Sequence, residues 1–478
     1  MYTSYIYIYI ICWIPALLPF ALRSPFLHSH VIIIIFYNVL AKANMGSSKS
    51  HTRLPPPARI TARSKISKSF KHDDGCRLFR LRLTASLLSH TPILIRNIRA
   101  ESIDAPGLRP HEVSYLRLLD RITNGTQIEI NATGTQLRFV PGILVGGDIE
   151  HECPTTENRN NMNTAEKGSS DKDARSVGWY LEGLLPIAPF CKSPLTLTLM
   201  GITDGLTRSD PSPDYLSSSV LPLMQRFGVG ADDNDYPLSI RVMKRGAAPL
   251  GGGVTRMYCP VVKEILPIDL TNVGKFKRIR GSVVSCKIPP SSAKRAAHAA
   301  KGLLHRLLPD VWIHTDCHSS RGRKKADYSM SPKHNSASSF ASPGCGPSPG
   351  LAMCLTAQTT EGMVLCAETS LDVTSDARGR MLPEDLGHKA AALLLDEVRQ
   401  GGCIDRGAQG IAFLLMCLGP EDATRIRVGT LTQYSVETLR LIKQAFGVEF
   451  KVTADEETGS ILLSCLGSGY RNMAKAST

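Results

Sequence analysis

No two of the 13 cysteines stand closer than nine residues, the nearest pair being Cys345 and Cys354. That spacing leaves no C-x-x-C half-site for zinc. An odd, scattered set of thiols reads instead as buried or free cysteines in a reducing compartment. No G-x-x-x-x-G-K-[ST] stretch occurs, which excludes nucleotide chemistry of the P-loop kind. No histidine follows His388, so the C-terminal part of the chain offers no imidazole nucleophile or base. The first 20 residues hold no Lys or Arg, which removes the basic n-region of a secretory signal. Acids are outnumbered, 42 against 56 Lys and Arg, for a formal net charge of +14. That balance favours a polyanionic partner, nucleic acid ahead of an anionic membrane surface.

What is present divides the 478 residues into segments of different character. Residues 1–44 carry an uncharged run from Tyr2 to Leu22, a second apolar run from Val31 to Phe36, and repeated Tyr-Ile dipeptides. They read as a non-native extension ahead of Met45, the alternative being a hydrophobic segment long enough to span a bilayer. Met45-Gly46-Ser47-Ser48-Lys49-Ser50 also fits the N-myristoylation pattern. Residues 45–72 form a basic arm with Lys49, Arg53, Arg59, Arg63, Lys65, Lys68 and Lys71, no acid from 49 to 72, and Pro55-Pro56-Pro57, a composition that predicts disorder.

From about residue 73, apolar residues at helical spacing alternate with short strand-like runs. Helices are expected over 77–88, 112–122, 177–190, 216–227, 291–308, 384–398, 411–418 and 436–446. Strands are expected over 93–98, 127–130, 136–140, 195–200, 276–287, 311–315, 351–358, 363–368, 448–452 and 461–465. The fold class is α/β in the mixed α+β sense. Two polar stretches, 153–174 and 317–350, read as disordered loops.

The rarest pattern is Arg245-Gly246-Ala247-Ala248-Pro249-Leu250-Gly251-Gly252-Gly253. Three glycines after a proline free the backbone to take positive φ and to approach a ligand or another chain closely. Arg245 would place a forked cation at the mouth of that loop. A second basic cluster is Lys275-Phe276-Lys277-Arg278-Ile279-Arg280. On a strand, strict alternation sends Lys275, Lys277 and Ile279 one way and Phe276, Arg278 and Arg280 the other, so an aromatic lies between cations, as phosphate contact with base stacking requires. Arg321, Arg323, Lys324 and Lys325 add a basic loop. Two sets resemble metal ligands weakly, Glu150-His151-Glu152 with Cys153, and the alternating His314, Asp316 and His318. The first abuts a polar insert, a surface strand explains the second as well, and no metal is expected.

The nonapeptide resembles the signature of the RNA 3′-terminal phosphate cyclase superfamily. Other words follow in family order: Leu118 to Gly125, Glu129 to Thr135, Pro141 to Gly147, Ile279-Arg280-Gly281, Leu307 to Val311, Pro383 to Gly387 and Arg399 to Asp405. Together they resemble the cyclase-like branch of eukaryotic ribosome biogenesis, over about residues 73–475. The resemblance implies repeated units of two helices on a four-stranded sheet, with a core at 73–273 and 401–478 and a smaller inserted α/β domain at 274–400.

The cyclases attack ATP with a histidine in a Ser-x-His-x-x-Thr-Asn setting at a helix start. Here the matching stretch is Thr432-Gln433-Tyr434-Ser435-Val436-Glu437-Thr438, with Tyr434 in the histidine's place. The acid of the family's N-terminal motif is also replaced, in Asp73-Asp74-Gly75-Cys76-Arg77-Leu78-Phe79-Arg80, by Arg77. Arg77 and Arg80 there suit an anion better than a metal-bound nucleotide. The resemblance therefore implies an inactive cyclase fold without cofactor, working in early pre-rRNA processing and small-subunit maturation in the nucleolus of the nucleus. Its implied partners are pre-rRNA, the ribosome-biogenesis GTPase of the nucleolus and the small-subunit processome, and no membrane. An endonuclease acting on pre-rRNA is the alternative, and a true cyclase with another nucleophile is a third reading.

Overall fold

The computed structural model describes residues 69–103, 105–155, 174–204, 210–230, 237–318, 344–371, 381–456 and 458–472. Three four-stranded sheets repeat one topology. The first joins β1 (Phe70–His72), β2 (Ile93–Ile95), β5 (Leu137–Val140) and β4 (Gln127–Ile130), in that order. β1 and β2 run parallel across helix α1 (Phe79–Ser89), and the other two strands are antiparallel. A parallel pair needs such a crossover, whereas an antiparallel pair closes with a turn. Helix α2 (Pro110–Ile122) precedes β4, and a two-stranded pair, β3 (Thr123–Asn124) with β6 (Ile143–Leu144), flanks this unit.

The second sheet is β7 (Gly147–Glu152), β8 (Leu195–Gly201), β10 (Gly253–Cys259) and β9 (Ser239–Lys244). Its helices are α3 (Val177–Leu184) and α4 (residues 213–226, with a π turn at Leu216–Val220). In β8 the sequence Leu-Thr-Leu-Thr-Leu-Met-Gly buries every second residue, the period of a strand with one face in the core. The third sheet is β11 (Asp269–Leu270), β16 (Ala423–Val428), β18 (Ile461–Leu466) and β17 (Lys451–Ala454), with helices α7 (Gln409–Leu418) and α8 (Gln433–Phe446). Every residue of α7 is buried, so it forms the centre of the main core rather than an amphipathic cover.

A fourth sheet lies in the crossover between β11 and α7. It orders β13 (Val311–His318), β12 (Phe276–Cys286), β14 (Gly350–Thr359) and β15 (Val364–Leu371). Helices α5 (Pro290–Leu304) and α6 (Pro383–Gln400) cover one face, over a separate core that includes Ile279, Val283, Leu355, Leu386 and Leu394. Ala293, Ala296, Ala297 and Ala300 make the buried stripe of α5 thin. Gly387 of α6 exploits it: a Cβ there would sit 2.2 Å from the Ala296 carbonyl oxygen.

Several expectations shift. The basic arm ends sooner than residue 72, because Phe70–His72 pair with Ile93–Ile95 and Phe70 packs on the main core. The helix expected over 177–190 stops at Leu184, and only a 3-10 turn, Ala188–Phe190, follows. Pro186 removes a donor there. β1, β3, β6, β7, β9, β10, β11 and β16 go unread in the sequence. Residues 1–68, the loop at 156–173 and the basic loop with Arg321, Arg323, Lys324 and Lys325 lie outside the described residues. Among the described residues, no helix is long and apolar enough to cross a membrane, and all twelve cysteines are free thiols.

Candidate nucleic-acid interface

The glycine-rich loop joins β9 to β10, and its close approaches are to its own chain. Gly251 takes φ +70°, a conformation a side chain rarely adopts, and its carbonyl oxygen would lie 1.9 Å from a Cβ on Gly346. The loop is thus pressed on the segment leading into β14, where the Gly346 N–H donates to the Arg245 carbonyl at 2.8 Å. Arg245 is also placed differently from the expectation. Its guanidinium is only 11% exposed and donates two bonds to Asp214 of α4, with Asp316 of β13 at 3.7 Å. A guanidinium held by two carboxylates between core and inserted domain is a structural tie, not a free phosphate contact.

Beside that tie lies a cavity of about 320 Å³ between α4, the uncovered face of the fourth sheet and the start of α7. It is lined by Asp204, Asp210, Asp214, Glu368 and Asp405. Burial pushes the Asp204 carboxyl up to about 6, and burial together with the charges of Asp214 and Asp405 pushes Glu368 up to about 7. Among the described residues Lys389 is the one cation of the lining, so five carboxyls against it make a poor seat for a phosphate backbone.

Around Tyr434 the geometry is tight. Tyr434 lies in the first turn of α8, capped by the Thr432 hydroxyl, which accepts from the Ser435 N–H at 3.0 Å. The ring lies over Gly410 of α7, where a Cβ would meet Tyr434 Cε1 at 2.7 Å. Arg80 pairs with Glu182 at 2.7 Å, stacks 4.7 Å above the Trp179 ring and donates to the Trp179 carbonyl. Its guanidinium is spent inside the fold. The free volume left among Arg80, Glu182, Gly410 and Tyr434 is about 10 Å³, room for a water at most. Burial, reinforced by the Glu182 charge, pushes the Tyr434 hydroxyl well above its ordinary pKa. Arg77, 54% exposed, clasps Glu437 of α8 in a two-bond ion pair.

The basic strand remains open. Lys275, Lys277 and Arg278 are exposed, and none forms an ion pair among the described residues. Arg278 gives its Nε–H to Gln358. Arg280 is held by Asp310 through bonds of 2.8 and 2.9 Å, which lower the Asp310 pKa. Phe276 departs from the expected alternation. A bulge between Phe276 and Arg278 turns it onto the covered face, where it packs against the inserted domain's core. The aromatic that does stand among the cations is Trp312 of β13, 67% exposed. Sequence reasoning missed it, although Val311-Trp312-Ile313 places a large ring in the outward phase of an alternating strand.

His151 is buried in β7, shares a 2.7 Å hydrogen bond with the Ser114 hydroxyl, and is lowered to about 4 by burial and by Arg121 and Arg117. His318 pairs with Asp316 at 2.9 Å. No cluster of three metal-ligating side chains occurs among the described residues.

Three sheets of one topology, a fourth in the last crossover and the glycine-rich tie between them define the class. The chain belongs to the RNA 3'-terminal phosphate cyclase family, whose model matches residues 71–452. Within it, the chain is 39% identical over 410 residues to the RNA 3'-terminal phosphate cyclase-like protein of Homo sapiens, covering 84% of this chain and 96% of that protein. It is 37% identical over 410 residues to the rRNA processing protein rcl1 of Schizosaccharomyces pombe, covering 85% and 97%. It is 36% identical over 411 residues to the probable RNA 3'-terminal phosphate cyclase-like protein of Arabidopsis thaliana, covering 84% and 97%.

Proposed function

We propose that this protein is a cyclase-fold factor of pre-rRNA processing that binds RNA and does not transfer adenylyl groups. The observation that carries the second half is the closed site at Tyr434. A nucleotide needs a cavity of several hundred Å³, and the space there is about 10 Å³. The tyrosine hydroxyl, with its pKa pushed up, stays protonated at neutral pH and is a poor nucleophile. The fission yeast relative is named as an rRNA processing protein, which supports the RNA half. Action in small-subunit maturation in the nucleolus, beside a ribosome-biogenesis GTPase and the small-subunit processome, belongs to this reading. Its RNA contacts are Lys275, Lys277 and Arg278, with Arg280 at the edge.

Purified protein incubated with ATP labelled at the α-phosphate should acquire no covalent label, and Tyr434→His should acquire none, because Arg80 and Glu182 still fill the site. A stable adenylyl adduct on the unaltered protein overturns the reading.

RNA affinity should fall steeply with salt. Changing Lys275, Lys277 and Arg278 together to glutamine should reduce the slope of log K against log salt by about two, at roughly 0.7 per phosphate contact on a single strand. An unchanged slope would move the RNA path elsewhere.

A further inference from the structure

We propose that Trp312 is a stacking platform for an unpaired RNA base, with Lys277 and Arg278 holding the flanking phosphates. This deepens the RNA-binding reading above and rests on it. The strand β13 is the edge of the fourth sheet, and its residues alternate between the helix-covered face and the open one. Ile313 points into the inserted domain's core, while Trp312 and His314 are exposed. Trp312 is the one large aromatic exposed among the described residues, and no ring or guanidinium stacks on it.

Its neighbours fix its surroundings. Trp312 is the direct partner of Arg280 across the parallel β12–β13 pair, so the two backbones lie about 4.8 Å apart. Asp310, two residues before the tryptophan, holds the Arg280 guanidinium by two bonds. The ring therefore sits beside a fixed cation, with Arg278 and Lys277 further along the same strand. Single exposed apolar residues are ordinary on protein surfaces. A flat indole bordered by cations, with its faces unused, has the composition that single-strand binders employ: stacking for the base, charge for the backbone. Duplex RNA offers no base to such a ring, because its bases are already stacked, so the site selects single strands.

The occupant is thus a single-stranded RNA, and the test uses the full-length protein with a fluorescent 12-nucleotide oligouridylate and a duplex of equal length. Trp312→Ala should weaken oligouridylate binding about tenfold, within the range for loss of one stacked base. It should leave duplex binding and the salt slope unchanged. Trp312→Phe should stay within about threefold of the unaltered protein, and Trp312→Leu should behave as alanine does. Because the side chain is exposed, all three variants should keep the circular dichroism spectrum of the parent.

Oligouridylate binding unchanged in Trp312→Ala would overturn the proposal and leave the ring to a protein partner. So would a leucine variant that binds like the parent, since stacking needs a π face. Failure of the underlying reading looks different: no RNA binding by the unaltered protein, or none lost in the triple glutamine variant.

Discussion

Alanine at Asp405 should destabilise the protein by about 4 kcal/mol or more. The carboxylate is 1% exposed and accepts from four donors: the Tyr215 and Ser219 hydroxyls and the backbone N–H groups of Ala408 and Cys366, the last two at 3.0 and 3.2 Å. Each donor left buried without a partner costs roughly 1–3 kcal/mol, and the losses are not fully additive. The four donors come from α4, from the turn into α7 and from β15 of the inserted domain, so one side chain joins three parts of the fold. Asp405→Asn should be milder, since its carbonyl oxygen still accepts. The midpoint of the first thermal transition checks this. A Tm for Asp405→Ala within about 2 °C of the parent would show that the network is not needed.

The contribution of Glu368 and Asp204 to stability should fall as the pH rises from about 4.5 to about 7. Burial lifts the Glu368 carboxyl from 4.5 to about 7, and Asp204 from 3.8 to about 6. In that window the folded protein keeps protons that the unfolded chain has released, so raising the pH favours unfolding. At about 1.4 kcal/mol per pH unit, Glu368 alone contributes an effect on the order of 3 kcal/mol. Asp74, Glu112 and Asp316, whose pKa values are lowered, act in the opposite direction at more acid pH. His151, lowered from 6.5 to about 4, and His72, also lowered, gain stability as the pH rises through the same window and offset part of the fall. Denaturant melts of the parent and Glu368→Gln at pH 5 and 7.5 test the assignment. The variant should lose much of the difference between the two pH values, and an unchanged difference would assign it to other groups.

The helices and most strands are legible because their apolar spacing is local. Position among cations is less so. Strict alternation places Phe276 beside Arg278 and Arg280, but a bulge inserts one residue and reverses the phase. A period-two reading has no signal for that. Arg245 reads as a phosphate ligand because its partners, Asp214 and Asp316, are distant in sequence and no pattern links them. The substitution at Tyr434 is visible in the sequence, whereas the closure of its pocket depends on Gly410 and the Arg80–Glu182 pair, which only tertiary packing brings together. β16 could have been read, since Ile426 and Val428 alternate with Arg425 and Arg427.

The position of the fourth sheet also governs the order in which a growing chain can close. The first two sheets are complete once Cys259 has emerged. Strand β11 follows at once, but its partner begins only at Ala423, and the whole inserted unit must be synthesised between them. That unit has a hydrophobic cluster of its own, while β11 waits with an open edge. The last sheet, and with it the buried helix α7, closes only when Leu466 is available. Truncations before that point therefore lack the strand that completes the sheet beside α7, a helix all of whose residues are buried.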